Sequence, residues 1–248
     1  MGGTWRMARD GDPGVVVLTG AAGGIGRVVA ARLAEQGRRL VLVDRSPAAD
    51  PPAGATVLTG DVRDPALVAS ALDAAAGLGE LRGLVNLAGI RHYRAFLDVD
   101  EPFVTEHLTV NLLAPLRWMQ GFARRVGGSG HDGAVVNVTS VMAHRVAEHN
   151  AVYAASKAAL WSLSRGAALD LAGTGVRVNC VAPGPTRTPM LAELLAQPDR
   201  RAAIHARVPL GRPAEPAEIA GAVVFLLSAD SRFMTGATVT VDGGYLLV

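Results

Sequence analysis

Short apolar runs alternate along most of the chain with longer amphipathic segments. Bounded by glycine, proline and polar turn residues, the runs predict seven β-strands: 15–18, 39–43, 56–59, 84–87, 134–139, 176–181 and 238–241. The segments between them carry apolar positions at helical spacing and predict helices near 27–36, 65–76, 101–126, 150–172, 189–206 and 215–228. Strands that alternate with helices are typical of an α/β fold with a parallel, doubly wound sheet and helices on both faces.

Composition fits a single domain. The chain has 248 residues, is 50% hydrophobic and has a mean hydropathy of +0.27, which is enough to bury one large core. Its formal net charge of +2 is too small to indicate a basic surface that binds nucleic acid. No apolar run is long enough to cross a membrane. We predict a flexible tail at 1–13 and one domain at 14–248, without repeats or linkers.

A glycine-rich turn, Thr19–Gly26, connects the first strand to the first helix. The turn predicts that backbone N–H groups and the positive end of a helix dipole meet at one point, which suits a pyrophosphate. Glycine is needed where the backbone must approach the ligand closely. This arrangement is typical of a dinucleotide-binding Rossmann fold, with a tight turn that binds nothing as the alternative.

An acidic residue, Asp44, ends the second strand about twenty residues beyond the first glycine of the turn. A carboxylate at this position accepts hydrogen bonds from the adenosine ribose hydroxyls and repels a 2′-phosphate. It therefore favours NAD over NADP. Arg45 follows directly and could instead bind a phosphate.

Tyr153 and Lys157 are four residues apart, so they share one face of a predicted helix. A nearby ammonium favours phenolate, so we expect Lys157 to lower the pKa of Tyr153 and to make it a general acid or base near neutral pH. The same spacing occurs on solvated helix faces, and other motifs must decide between the two interpretations.

The single cysteine, Cys180, lies in a strand-like run and is interpreted as a buried structural thiol. The six histidines have no metal-ligand spacing, so we predict no metal.

Several motifs occur together in the order found in the short-chain dehydrogenase/reductase family, and the chain resembles that family from Val15 to its C-terminus. The matching motifs are Thr19-Gly20, Gly24-Ile25-Gly26, Asp61-Val62, Asn86-Leu87-Ala88-Gly89, the tetrad Asn111, Ser140, Tyr153 and Lys157, the segment Pro183–Thr188, and Val241-Asp242-Gly243-Gly244.

The resemblance implies a role for each matching residue. Ser140 polarises the substrate oxygen, Tyr153 exchanges the proton, and Lys157 favours tyrosinate and holds the nicotinamide ribose. Asn111 anchors a water in a proton relay. The implied cofactor-binding residues are Gly20, Gly24, Ile25, Gly26, Asp44, Asp61, Val62, Asn86, Ala88, Gly89, Tyr153, Lys157, Pro183, Gly184, Thr186 and Thr188, and the implied substrate lid is 186–213.

Two features depart from the family pattern. Leu87 stands where the family more often has asparagine, and the prolines within 45–54 leave no room for the helix that usually links the second and third strands. Together with His144, these features resemble the branch that oxidises dihydrodiols to dihydroxybenzoates, 2,3-dihydro-2,3-dihydroxybenzoate dehydrogenase.

Substrate choice depends on the loops at 90–96, 141–150 and 186–213, and five of their side chains are candidates for contact with a substrate: Arg91, His92, His144, Arg145 and Arg187. Two or more of them facing inward would favour an anionic substrate. We expect them to face solvent, which favours a neutral alcohol or ketone.

Three functions follow as alternatives. The first is an NAD-dependent oxidoreductase for a secondary alcohol or ketone, such as a cyclic dihydrodiol or a hydroxy acid. The second is an NADPH-dependent 3-oxoacyl-thioester ketoreductase, and the third is a nucleotide sensor without turnover. The resemblance further implies a homotetramer in which the helices near 101–126 and 150–172 pair between subunits. The single cysteine excludes an internal disulfide and is compatible with a reducing cytoplasm, so we predict a cytoplasmic protein.

Overall fold

The first strand, β1 (Val15–Thr19), has side chains that alternate between two buried faces. Val15 and Val17 belong to one hydrophobic core, while Val16 and Leu18 belong to another, and all four are 0% exposed. A strand that is apolar on both faces is stable only when helices cover both sides of its sheet. The pattern of this one strand therefore requires a three-layer arrangement.

The structure is a computed structural model that describes residues 13–47, 49–127, 129 and 131–248. Except for Pro13, the predicted tail at 1–13 lies outside these residues. Within the described residues, seven parallel strands form one sheet in the order β3-β2-β1-β4-β5-β6-β7. This confirms the predicted single-domain Rossmann fold. The remaining strands are β2 (Arg39–Asp44), β3 (Thr56–Thr59), β4 (Leu81–Asn86), β5 (Gly133–Val138), β6 (Val176–Pro183) and β7 (Thr238–Val241).

Helices cover both faces of the sheet. They are α1 (Gly24–Glu35), α2 (Pro65–Leu78), α3 (Glu101–Leu108), α4 (Ala114–Val126), α5 (Ala151–Leu171), α6 (Pro189–Ala196), α7 (Pro198–Ala206) and α8 (Pro216–Leu227). On one face α1 and α8 bury Leu33 and Val223. On the other, α2 and α4 bury Leu72, Trp118 and Phe122, and α5 completes the layer. Each fully buried side chain of this size contributes about 1.5–3 kcal/mol.

The helix predicted at 101–126 is interrupted. A five-residue π-helical turn, Thr109–Leu113, separates α3 from α4. Asn111 lies at the centre of this turn and is fully buried. Its side chain hydrogen-bonds to the backbone of Ile90, which holds the irregular turn against the loop that follows β4.

The helix predicted at 189–206 is divided into α6 and α7 at Gln197. Pro198 has no N–H to donate and disfavours helical geometry in the residue before it, so the first helix ends there. The described residues of the link at 45–54 contain no helix, as predicted. No helix in the described part of the chain combines the length and apolar character needed to cross a membrane.

Candidate active site

A cleft of about 710 Å³ opens at the carboxyl ends of the parallel strands. This is the position where open α/β sheets bind their ligands. Most of the predicted site residues meet there. Those that line the cleft are Gly20, Gly24, Ile25, Asp44, Asp61, Val62, Ala88, Gly89, Ser140, Tyr153, Lys157, Pro183, Gly184, Thr186 and Thr188.

The glycine turn forms one end of the cleft. Gly20 has a φ of +72°, and a Cβ built on it would lie 2.6 Å from the Ala88 backbone nitrogen. Gly26 does not line the cleft. A Cβ there would lie 2.1 Å from the Gly20 carbonyl oxygen, so its lack of a side chain lets α1 pack directly behind the turn. The residue supports the predicted cofactor loop from behind.

Two carboxylates mark the side of the cleft near β2 and β3. The Asp44 Oδ2 atom accepts a hydrogen bond from the Ala22 N–H at 3.0 Å, and Oδ1 accepts one from the Ser46 N–H at 3.1 Å. Asp61 is bonded to the Arg63 guanidinium at 2.6 Å. The hydrogen bonds from Arg63 lower the pKa of Asp61, so this carboxyl is ionised at neutral pH.

Asn86 and Asn111 lie behind the wall of the cleft and are not on its surface. The Asn86 Nδ2 atom donates to Asn137 Oδ1 at 2.8 Å, within a row of buried polar side chains. Asn111 Oδ1 accepts from the Ile90 N–H at 2.9 Å, and its Nδ2 donates to the Ile90 carbonyl at 2.9 Å. Gly89 lies just in front, where a Cβ would be 3.3 Å from the Lys157 Nζ atom. Asn111 therefore positions the loop that follows β4, while Asn86 connects the ends of β4 and β5.

Ser140, Tyr153 and Lys157 converge at the centre of the cleft. Ser140 follows β5, and its Oγ atom accepts the Met142 N–H at 3.1 Å. Tyr153 and Lys157 both lie on α5 and are 7% and 5% exposed. The Lys157 Nζ atom donates to the Val138 carbonyl at 2.9 Å and lies 6.0 Å from the centroid of the Tyr153 ring. The sequence contains no other lysine.

Burial dominates the electrostatics of this pair. It raises the pKa of Tyr153, against the opposing effects of the Arg91 charge and a hydrogen bond to Ser140. It lowers the pKa of Lys157 to about 8. Our expectation that Lys157 lowers the pKa of Tyr153 was therefore wrong for this structure, because removing the phenolate from water costs more than its neighbours restore.

Of the five loop side chains, only Arg91 lines the cleft. Its Cζ atom lies 5.2 Å from the centroid of the Tyr153 ring. His92 and His144 are exposed. Arg145 donates to the carbonyl oxygens of Tyr245 and Val248, and Arg187 is bonded to Glu215 at 2.8 Å. The prediction of solvent-facing side chains fails at one position, which is the one nearest the reactive phenol.

The segment predicted as a lid borders the opposite side of the cleft. Thr188 and Pro189 contact the glycine turn, since a Cβ on Gly24 would lie 3.2 and 3.3 Å from their side chains. Leu191 and Ile204, on α6 and α7, add apolar lining. Sequence reasoning missed Asn150, which is at the N-terminus of α5 and also lines the cleft. Asn150 precedes Tyr153 by three residues on the same predicted helix, and this spacing could have indicated that the two side chains lie on the same side of it.

Comparison with known proteins gives consistent matches over nearly the whole chain. A family model described as enoyl-(acyl carrier protein) reductase matches residues 20–246. A cis-4-hydroxycyclohexanecarboxylate dehydrogenase from Sinomonas cyclohexanicum is 39% identical over 244 residues, which cover 94% of this chain and 97% of that protein. A galactitol 2-dehydrogenase (L-tagatose-forming) from Cereibacter sphaeroides is 35% identical over 94% of this chain and 95% of its own length.

The match extends to solved structures. A candidate NAD(P)-dependent gluconate 5-dehydrogenase from Beutenbergia cavernae, with NADP bound at low occupancy, superposes with a TM-score of 0.89. It is 33% identical, over 96% of this chain and 98% of that one.

Proposed function

Because the chain belongs to the short-chain dehydrogenase/reductase family, we propose that it oxidises a secondary alcohol to a ketone with NAD⁺, or catalyses the reverse reaction. Membership of the family makes it an NAD(P)-dependent alcohol dehydrogenase or carbonyl reductase. The proposal adds the cofactor preference and the class of substrate. Both similar enzymes are named for secondary alcohols on a ring or a polyol chain, which supports this class.

One observation carries the proposal: a buried tyrosine, a serine and a lysine meet in the cleft that the glycine turn closes at one end. A dinucleotide fits these residues, because Gly23, Gly24 and Ile25 bring the N-terminus of α1 to the cleft for its phosphates, and the Asp44 carboxylate would accept its ribose hydroxyls. Nicotinamide supplies the acceptor or donor of hydride when it is bound.

The chain's own residues manage the proton and the orientation of the substrate. Tyr153 removes the hydroxyl proton of the alcohol as hydride leaves its carbon, and returns it in the reverse direction. The Ser140 hydroxyl donates a hydrogen bond to the same oxygen and stabilises the charge that develops there. The ammonium of Lys157 would donate to the nicotinamide ribose, and Asn111 holds the loop that follows β4 against this side of the cleft.

Asp44 supports NAD as the preferred cofactor. Its carboxylate is fixed by the N–H groups of Ala22 and Ser46, in the place where a 2′-phosphate would bring like charges together. Arg45 and Arg63 lie on the same rim and favour a second candidate, an NADPH-dependent ketoreductase.

Initial rates of NAD⁺ and NADP⁺ reduction should be measured with cyclic diols, hydroxy acids, sugar alcohols and simple secondary alcohols. We expect turnover with NAD⁺ and a lower kcat/KM with NADP⁺. Tyr153→Phe should lower kcat by about 10²- to 10⁴-fold and leave NADH affinity nearly unchanged. A fully active phenylalanine variant would refute the proton role. Thermal protection by NADH without turnover of any substrate would instead indicate a sensor.

A further inference from the structure

Arg91 is a cation beside the reactive phenol and has no acidic partner in the described part of the chain. Its Cζ atom lies 5.2 Å from the Tyr153 ring centroid and 4.9 Å from that of Tyr93, and the side chain is partly buried. The Nε atom donates to the Asn150 Oδ1 atom at 3.2 Å. Its terminal nitrogens form no hydrogen bond or ion pair with any described residue. A partly desolvated guanidinium with unused donors is suited to an anion.

Asn150 supplies a second unused donor at the same place. The residue is 1% exposed, and its Nδ2 atom has no hydrogen-bond partner among the described residues. Leaving a buried amide unpaired is unfavourable, so such a group in a cleft indicates a missing ligand. Because its Oδ1 atom already accepts from Arg91, the remaining group can only donate.

The chemistry of this pair is one-sided. The two terminal nitrogens of Arg91 and the Nδ2 atom of Asn150 all donate and none accepts. A hydroxyl or a ketone would satisfy a small part of that set. A carboxylate has two acceptor oxygens and can take paired hydrogen bonds from a guanidinium while also accepting from an amide.

The charged groups around Arg91 do not neutralise it, so it remains available to bind a carboxylate. Glu106 and Glu148 also line the cleft, but within the described part of the chain neither lies within ion-pair distance of Arg91. Arg207, from the end of α7, adds a second cation to the lining. Arg145 and Arg187, which have protein partners elsewhere, do not reach it. Placement beside Tyr153, and not the number of cations, therefore decides whether an anion is recognised.

We infer that Arg91 and Asn150 form a carboxylate-binding subsite, and that the alcohol oxidised at Tyr153 is part of a hydroxy acid. The inference rests on the proposed function, because it assigns the substrate class of the same site. The carbinol lies against Tyr153 and Ser140, while the acid group lies against Arg91 on the neighbouring wall.

The test compares hydroxycyclohexanecarboxylates with their methyl esters, which keep the ring and the carbinol but lose the charge. Values of kcat/KM should be measured for the wild type, Arg91→Gln and Asn150→Asp. Arg94→Gln is the matched control, because it removes the same charge from the same loop at a side chain bonded to Asp100. Any effect of Arg91 on Tyr153 itself acts on acid and ester alike, so it cancels in their ratio.

We expect the wild type and Arg94→Gln to prefer the acid over its ester by about 10- to 100-fold. Arg91→Gln should bring the acid-to-ester ratio to about 1, whatever its common effect on both substrates through Tyr153. Asn150→Asp should do the same by placing a negative charge against the carboxylate. An acid-to-ester ratio that is the same in Arg91→Gln and the wild type would overturn the inference and leave the proposed function standing.

If none of these alcohols is turned over, ligand binding tests the carboxylate subsite instead. Cyclohexanecarboxylate and cyclohexanecarboxamide should be compared as ligands of the NADH-bound protein by their shift of the unfolding temperature. Stabilisation by the carboxylate alone, lost in Arg91→Gln, supports the subsite even though the proposed reaction fails. Equal effects of the two compounds, or an effect that persists in Arg91→Gln, overturn it.

Discussion

Replacing Gly26 with alanine adds one methyl group between α1 and the glycine turn. That Cβ would lie 2.1 Å from the Gly20 carbonyl oxygen, 2.9 Å from the Ala21 Cα atom and 3.0 Å from the Ala21 carbonyl oxygen. All three neighbours are backbone atoms, which cannot rotate away as a flexible side chain can. The N-terminus of α1 must therefore move away from the turn by roughly an ångström to reach normal contact distances.

The displacement should affect both stability and cofactor binding. Overpacking of a tight contact costs about 1–3 kcal/mol, and for a chain of this size each kcal/mol lowers the unfolding temperature by about 2–4 °C. The same movement takes the helix N–H groups away from the pyrophosphate position. We expect NADH affinity to fall by about tenfold, which is equivalent to roughly 1.4 kcal/mol.

Gly77→Ala is the matched control. Gly77 lies on α2, and a Cβ there meets nothing within 4 Å. Alanine is the better helix former, so this variant should gain about 0.5–1 kcal/mol of stability with no change in NADH binding. Thermal unfolding with and without NADH, and NADH titration by fluorescence, measure both effects. A Gly26→Ala protein as stable as the wild type, with unchanged NADH affinity, would refute the close-packing argument.

Two further predictions concern charge. Asp44→Ser removes the carboxylate at the ribose end, so the ratio of kcat/KM for NAD⁺ to that for NADP⁺ should fall by about tenfold or more, and an unchanged ratio would show that Asp44 does not contact the ribose. Lys157 has a folded-state pKa of about 8, against 10.5 for the free group, so the unfolded chain binds more protons between these values. The free energy of unfolding of the wild type should therefore rise relative to Lys157→Met from pH 8 to 10.5, by on the order of 3 kcal/mol. Denaturant titrations of both proteins at each pH measure the difference, and parallel curves would contradict the buried-charge argument. Since the chain has a single lysine, the pH dependence of its rate of acetylation, followed by mass spectrometry, gives a second measure of the same pKa.

The sequence was most informative where local chemistry alone determines geometry. Seven apolar runs predicted seven strands, and the bounds of β3 and β7 were correct to the residue. Glycines at the end of β1 predicted the turn, because few other residues tolerate a φ of +72° at Gly20. The beginning of β4 was placed three residues late, since Arg82 interrupts its apolar pattern.

Several structural features were not predicted, most of them because they depend on contacts between residues that are distant in the sequence. The π-helical turn around Asn111 exists because the side chain reaches the backbone of Ile90, 21 residues earlier in the chain. The break between α6 and α7 could have been predicted, because Pro198 cannot continue a helix. The pKa of Tyr153 is raised because the side chain is buried, and the spacing between Tyr153 and Lys157 in the sequence gives no information about burial.

The identity of the residue at 157 is informative beside the rest of the composition. Of the 24 lysine and arginine residues in the chain, the other 23 are arginines. An arginine stays protonated at any physiological pH, whereas a buried lysine changes its pKa readily. Burial brings the ammonium of Lys157 to a pKa of about 8, where it can release and regain a proton during turnover. It also raises the pKa of Tyr153, so a cation must offset part of that cost, and the guanidinium of Arg91 does so. The two cations therefore have separate tasks: Arg91 supplies a permanent charge, while Lys157 supplies one that can be exchanged, as a proton relay requires.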